Sequence, residues 1–146
     1  MYEIREAKRE DLPKLLELYL SLHESSLPDP NGAIRDTWDA ILKDQNHHVI
    51  VCQEDDDIVS SCVCVMIPNL TRGGRPYALI ENVVTKEGYR KRGLAGQCLA
   101  RAREIAENAG CYKIMLLTGS RDDATHRFYQ QSGYNNTDKT AYIQWL

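Results

Sequence analysis

The 146 residues are 42% hydrophobic and 27% charged, with a formal net charge of −3 at pH 7. A chain of this length and make-up can bury a core of its own, so it needs neither disulfides nor a structural metal to fold. No apolar run approaches the ~18 residues that cross a membrane, and the opening MYEIREAKRE is too polar for a secretory signal. One domain over residues 1–146, located in the cytoplasm, with no membrane or nucleic-acid partner, is the expectation.

Five cysteines cannot all pair within one chain, and no C-x-x-C spacing occurs. They are expected to be reduced thiols acting as small hydrophobes, with no metal site. His47 and His48 are neighbours on a strand-like stretch, where adjacent side chains face opposite ways and do not readily share an ion.

In chain order, Tyr2–Ala7 alternates apolar and polar residues like a half-buried strand. Asp11 then suits a helix cap, with Pro13 in the first turn and Leu12, Leu15, Leu16, Tyr19 and Leu20 as an apolar stripe. The turn-forming SSLPDPNG (25–32) separates this helix from a weaker one over Ile34–Leu42. Two strands, HHVIVCQ and IVSSCVCVMI, flank the polar turn EDDD, and a third strand covers Tyr77–Thr85. Leu94, Cys98, Leu99, Ala102, Ile105 and Ala106 recur at helical spacing, with Gly110 as a stop. YKIMLLT reads as a short, central, buried strand. Asp122 or Asp123 caps a helix through Gln131, and Thr140–Leu146 forms a last strand. The order β-α-α-β-β-β-α-β-α-β predicts an α/β fold with a mixed sheet flanked by helices.

The densest chemistry lies in VVTKEGYRKRGLAGQCLARAR (83–103), where an acidic protein gathers Lys86, Arg90, Lys91, Arg92, Arg101 and Arg103. The first amides of a helix starting near Leu94 lack internal partners and carry the positive end of the macrodipole. Gly93 bares the backbone and cations precede it, so the joint suits an anion. A solvated basic helix end is the alternative. Arg101 and Arg103 lie one or two turns further on and belong to a solvated face.

IENVVTKEGYRKRGLAG resembles the acetyl-CoA signature R/Q-x-x-G-x-G/A of the GNAT superfamily of N-acetyltransferases, with Arg90, Gly93 and Ala95 at its defining positions. THRFYQQSGY resembles the second motif of that family through Phe128, Tyr129, Gly133 and Tyr134. Lys91 stands where many relatives have glycine, and His126 where asparagine is frequent. The resemblance covers nearly the whole chain and implies the GNAT acyl-CoA N-acyltransferase fold, with a mostly antiparallel sheet. It further implies direct transfer of acetyl from acetyl-CoA to a primary amine, without a covalent enzyme intermediate.

By the same resemblance, the pyrophosphate would lie on the amides of Lys91, Arg92, Gly93, Leu94, Ala95 and Gly96, with Arg90 nearby. Pantetheine would pair with Val83, Val84 and Thr85. Thr118, His126, Phe128 and Tyr129 would complete the cofactor site. Tyr129 is the candidate general acid towards the departing thiolate; packing beside Phe128 is its structural alternative. Glu81 is the candidate base, placed by strand alternation on the side of Leu79 and Val83; pairing with an arginine such as Arg75 is its alternative. His126 contacts CoA or serves as another base.

The acceptor is less defined. Residues 24–57 carry nine acids against Arg35 and Lys43, a net −7 that favours a cationic substrate. Arg72 and Arg75 in the 69–77 loop favour instead an amine that also bears an acid. A small-molecule amine is the first expectation; a peptide N-terminus or lysine, or a non-catalytic acyl-CoA-binding regulatory module, are the others. The family resemblance, with Tyr142, Ile143 and Trp145 in the last strand, also admits a homodimer.

Overall fold

In the computed structural model, which describes residues 1–22 and 24–146, five strands form one sheet in the order β1-β2-β3-β4-β5. The elements are β1 (Tyr2–Glu6), α1 (Leu12–Tyr19), α2 (Ala33–Lys43), β2 (His47–Glu54), β3 (Asp57–Ile67), β4 (Tyr77–Thr85), α3 (Leu94–Asn108), β5 (Ile114–Leu116) and α4 (Asp123–Gln131). The pairs β1–β2, β2–β3 and β3–β4 are antiparallel, while β4–β5 is parallel, joined through α3 as a crossover. The expected mixed, mostly antiparallel sheet is therefore present. Among the described residues, no helix is long and apolar enough to cross a membrane.

The two central strands are apolar almost throughout because both of their faces are covered. Ile50, Cys52, Cys62, Cys64 and Ile80 meet Leu94, Cys98, Leu99, Ala102 and Ala106 of α3 on one face. Val49, Val51, Ile58, Val63 and Val84 meet Leu12, Leu15, Leu16 and Leu18 of α1 and Trp38 of α2 on the other. All five cysteines are free; four are buried and Cys111 is half-buried. Burial pushes the Cys98 thiol up to about 12 and the Cys64 thiol to about 11, so both stay protonated and act as packing groups.

Asp11 holds the expected N-cap position of α1, but its side chain makes no cap bond to that helix. Its carboxylate closes the preceding 3-10 turn, accepting the Lys8 N–H at 2.7 Å and Arg5 Nη1 and Nη2 at 2.7 and 2.9 Å. Burial alone would raise this carboxyl, but Arg5 and the Lys8 amide outweigh it and hold it below its usual range. A lowered carboxyl pKa stabilises the fold above the unfolded value of ~3.9, and that contribution fades as pH falls through the folded value. Asp11→Ala should therefore cost about 2 kcal/mol at pH 7, as read by urea unfolding. The gap to the parent should shrink when the same titration is run near pH 3.

Three other expectations are corrected. The apolar stripe of α1 ends at Tyr19, and Leu20 is the exposed cap that follows. YKIMLLT is neither central nor fully buried; only Ile114–Leu116 form a strand, half-buried and at the sheet edge. Thr140–Leu146 is not a strand in this chain, because no strand beside β5 pairs with it. An extended segment without a partner has no ladder to satisfy it.

Candidate active site

The site is built where β4 parts from β5. β4 runs on to Thr85, yet its pairing with β5 stops at Ile80 opposite Leu116. From Glu81 onward one edge of β4 faces a notch. Its other edge stays tied to β3, where Ser61 pairs with Val84, Ser60 pairs with Thr85 and Ser60 Oγ donates to Val84 O at 3.0 Å.

A bulge lies at the head of this notch. Val63 pairs with Glu81 and Ser61 pairs with Val84, so Cys62 alone opposes both Asn82 and Val83. Asn82 takes φ +52°, a left-handed geometry that asparagine tolerates better than most residues. The extra residue reverses the alternation. Val83 packs into the α3 core, whereas Glu81 and Asn82 line a cavity on the α1–α2 face. The expectation that Glu81 and Val83 share a side is therefore wrong, because simple period-two counting fails across a bulge. Arg75 does not pair with Glu81 either; its guanidinium donates to the carbonyls of Gly110 and Cys111 at 3.1 and 3.2 Å.

At the other end of the segment, Lys91 takes φ +61° and Gly93 φ +78°, while Arg92 between them is not left-handed. Alternating hands over successive residues turn backbone N–H groups towards one concavity. That concavity opens at the N-terminus of α3, whose cap is Gly93. The geometry accounts for the frequent glycine of relatives at position 91: a lysine here accepts a strained backbone. Arg92 serves the loop itself, donating to Gly88 O at 2.8 Å and Tyr2 Oη at 2.9 Å with its guanidinium 4.9 Å from the Tyr89 ring centroid. Arg90 Nε reaches Thr85 O at 3.3 Å. Lys86 pairs with Asp57, and Arg101 and Arg103 pair along the helix with Glu104 and Glu107.

Tyr129 approaches from the opposite face. Asp122, by accepting the Ala124 N–H at 3.1 Å, starts α4 and sets its rotation. The Phe128 and Tyr129 rings meet at a tilt of 55° with centroids 5.1 Å apart, and Tyr134 meets Tyr129 edge-on at 6.3 Å. Gly96 lies against Phe128, where even an added methyl would be 3.9 Å from the ring. Burial raises the Tyr129 phenol above its usual pKa, and the nearby Cys62 thiol adds to the shift. Tyr129 packs against the α3-side core that includes Cys62, the residue opposite the bulge, while Glu81 lines the cavity on the other face of the sheet. Thr118 Oγ1 accepts the Ser120 N–H at 3.2 Å beyond β5. His126 contacts Ser120 O at 2.8 Å and lines a depression of about 540 Å³ with Arg121 and Arg127, not the cavity of Glu81.

That cavity, about 570 Å³, lies between α1, α2 and the sheet. Leu12, Leu16, Trp38, Ile41, Val49 and Val65 supply apolar walls; Glu24, His47, Tyr19, Glu81 and Asn82 supply polar points. No lysine or arginine lines it among the described residues. The Tyr19 hydroxyl, beside Asn82 and Ser61, is pushed up to about 12 by burial. Burial lowers His47, which favours its neutral form. Tyr19, His47 and Asn82 are not among the site residues expected from sequence, where Tyr19 reads as part of an apolar stripe and His47 as a strand residue. The one available signal was Asn82 itself, a residue that strands disfavour, inside an otherwise regular strand. Of the nine acids of residues 24–57 only Glu24 lines the cavity; Asp39 pairs with Arg9, Asp57 with Lys86, and Asp29 accepts the Asn31 N–H. Arg72 lies 5.3 Å from the Tyr112 ring centroid and, like Arg75, does not line the cavity.

Comparison with known proteins places the fold in a family. A curated glucosamine 6-phosphate N-acetyltransferase of Trypanosoma brucei brucei is 35% identical over 77 residues, 53% of this chain and 50% of the relative. The match thus spans about half the length of that relative. A solved structure from Agrobacterium tumefaciens str. C58, provisionally described as an acetyltransferase, superposes with a TM-score of 0.90 at 38% identity, over 98% of this chain and 99% of that one. An acetyltransferase of Trypanosoma brucei gives a TM-score of 0.85 at 26% identity, over 99% and 100% of the two chains. The acetyltransferase (GNAT) family model matches residues 12–134. The chain belongs to the acetyltransferase (GNAT) family.

Proposed function

We propose that the protein transfers an acetyl group from acetyl-CoA to the primary amine of a small molecule held in the α1–α2 cavity. One observation carries the reading: the bulge of β4 joins three features. These are the open strand edge leading from the Lys91–Gly93 concavity, the Glu81 carboxylate in the cavity, and the half-buried Tyr129 on the far side. The concavity and the α3 N-terminus fit a pyrophosphate, and the unpaired edge of Val83–Thr85 fits an amide-bearing arm added like a strand. Acetyl-CoA, when bound, supplies the activated thioester.

The chain's own groups then move the protons. Glu81 takes one from the substrate ammonium, directly or through water, freeing the lone pair that forms the C–N bond. A backbone N–H at the bulge donates to the carbonyl oxygen as negative charge gathers there. Tyr129 gives its proton to the sulfur as the C–S bond breaks, and the surplus proton left on the attacking nitrogen passes to the phenolate through solvent, leaving a neutral amide, a free thiol and Tyr129 restored. The apolar walls and absence of lining cations favour an amine carried on an apolar body. A phosphosugar, the substrate named for the curated relatives, would find no lysine or arginine for its phosphate among the described residues that line this cavity.

Binding is tested first. At a hundredfold excess over Kd, acetyl-CoA or CoA should stabilise the fold by about 2.7 kcal/mol, which is about 5–10 °C in Tm for a domain of this size; no shift with either would sink the reading. Gly93→Ala forces a side chain into φ +78° and places a methyl on the concavity. It should cost about 1–2 kcal/mol of stability and weaken CoA about tenfold, measured by thermal unfolding and calorimetry. Thiol release over arylalkylamines, polyamines, aminoglycosides and glucosamine 6-phosphate should then favour the first class. Preference for the phosphosugar would overturn the acceptor assignment without touching the acetyl-transfer reading.

A further inference from the structure

The sheet face beneath α1 and α2 sets the polar points of the cavity in a fixed pattern. Val49 pairs with Val63, and Val63 with Glu81, so these residues form one row across β2, β3 and β4. His47 pairs with Val65 in the next row on the same face, because residues two apart on a strand point the same way. All of these side chains line the cavity. Glu81 and His47 are therefore opposite corners of a floor whose middle is Val49, Val63 and Val65. Two strands across, at about 4.8 Å each, and two residues along, at about 3.4 Å each, set the corner Cα atoms about 12 Å apart.

The polar groups are shared unevenly between the corners. Asn82 follows Glu81 and the Tyr19 hydroxyl lies beside Asn82, so three polar side chains gather at the reacting end. His47 stands across the valines from Glu81, half-buried. Trp38, the large ring of the wall, gives its one N–H to Arg9 O at 3.0 Å and turns only apolar surface to the cavity. Glu24 borders the cavity from an exposed stretch of chain. Burial favours neutral imidazole at His47, which has one N–H to donate and one nitrogen to accept. A hydroxyl also donates and accepts, and is its complement. An ammonium only donates, and would carry its charge over an apolar floor.

We propose that His47 forms the distal end of the acceptor site, and that the acceptor is a primary amine whose apolar body ends in a neutral hydroxyl. This deepens the reading above and rests on the α1–α2 cavity holding the acceptor. The amine meets Glu81, the body lies on the three valines beneath Leu12, Leu16 and Trp38, and the hydroxyl bonds the imidazole. With a hydrogen bond at each end, the corner spacing leaves about 6–12 Å between the amine nitrogen and the distal oxygen. A benzene ring with a two-carbon amine arm and a para hydroxyl falls within that span.

The test compares phenethylamine with its para-hydroxy analogue, which differ by the one group in question. Binding is measured with CoA, which has no acetyl group to transfer, by calorimetry and by Trp38 emission in a Trp145→Phe background. The hydroxylated amine should bind about fivefold more tightly. His47→Phe should bring that ratio to one while still binding phenethylamine, and His47→Gln, which can still donate and accept, should keep most of the preference. Equal affinity of the parent for both amines overturns the proposal, as does a preference that survives in His47→Phe. Equal loss in both variants overturns it by giving the role to the shape of the ring. Tighter binding of the para-aminomethyl analogue overturns it in favour of a dicationic acceptor held by Glu24. If neither amine binds, the cavity is not the acceptor site and the inference falls, while the thermal shift with acetyl-CoA still judges the cofactor site. The expected preference without thiol release would leave His47 in place and remove the acetyl-transfer reading instead.

Discussion

Tyr129→Phe should lower kcat by about 10²–10³-fold while leaving stability and CoA affinity nearly unchanged. The separation is expected because the ring and the hydroxyl have different tasks. The ring packs on Phe128 and Tyr134, and phenylalanine keeps that packing. The side chain's described contacts are made by the ring, so removal of the hydroxyl leaves them in place. What disappears is the proton for the departing thiolate. A thiol titrates near ~8.5 and a phenol near ~10, so the transfer is accessible in a dry site. Burial moves the phenol further up. A raised pKa keeps the acid protonated to higher pH, so the alkaline limb of the parent kcat profile that Tyr129 controls should lie above ~10. The variant should lack that limb. Unchanged turnover in Tyr129→Phe would remove the acid assignment while leaving the acetyl-transfer reading intact.

The elements that carry local periodicity were legible before any coordinates. β4 begins and ends where its alternation does, at Tyr77 and Thr85, and α4 starts on the Asp122 cap that its sequence advertises. The features that make a site were less so, because they depend on where a pattern breaks. Asn82 shifts the register by one residue and moves Glu81 and Val83 to opposite faces, which no count of twos anticipates. Tyr19 and His47 read as core and strand-start residues; only the packing of α1 and α2 over the sheet brings them to one cavity. Charge counting misled for a related reason. Nine acids in residues 24–57 suggested an acidic pocket, but ion pairs and turns claim several, and Glu24 is the one that lines the cavity. The C-terminal strand has the right composition and no partner in its own chain, which a single sequence has no means of expressing.

Glu81→Gln should reduce kcat/KM by about 10²-fold near neutral pH, and the deficit should shrink as pH rises. Glutamine keeps the size and hydrogen-bonding shape of the side chain, so the cavity and the paired Val63 are undisturbed. It cannot accept a proton. An aliphatic amine titrates near ~10.4, so at pH 7 only about one molecule in 10³ is free base. Without Glu81 the rate should follow that fraction, rising about tenfold per pH unit until the amine pKa is approached. The parent should show a shallower slope over the same range. Glu24 and His47 border the same cavity and are the groups that would share the task if Glu81 were not the base. Burial favours the neutral form of His47, and neutral imidazole is an acceptor in its own right. The matching variant, His47→Gln, therefore serves as the control: it should leave the pH slope of the parent intact. If instead His47→Gln steepens the slope and Glu81→Gln does not, the proton goes to the histidine. The bulge at Asn82 would then serve to open the cavity to the notch and not to aim a carboxylate at it.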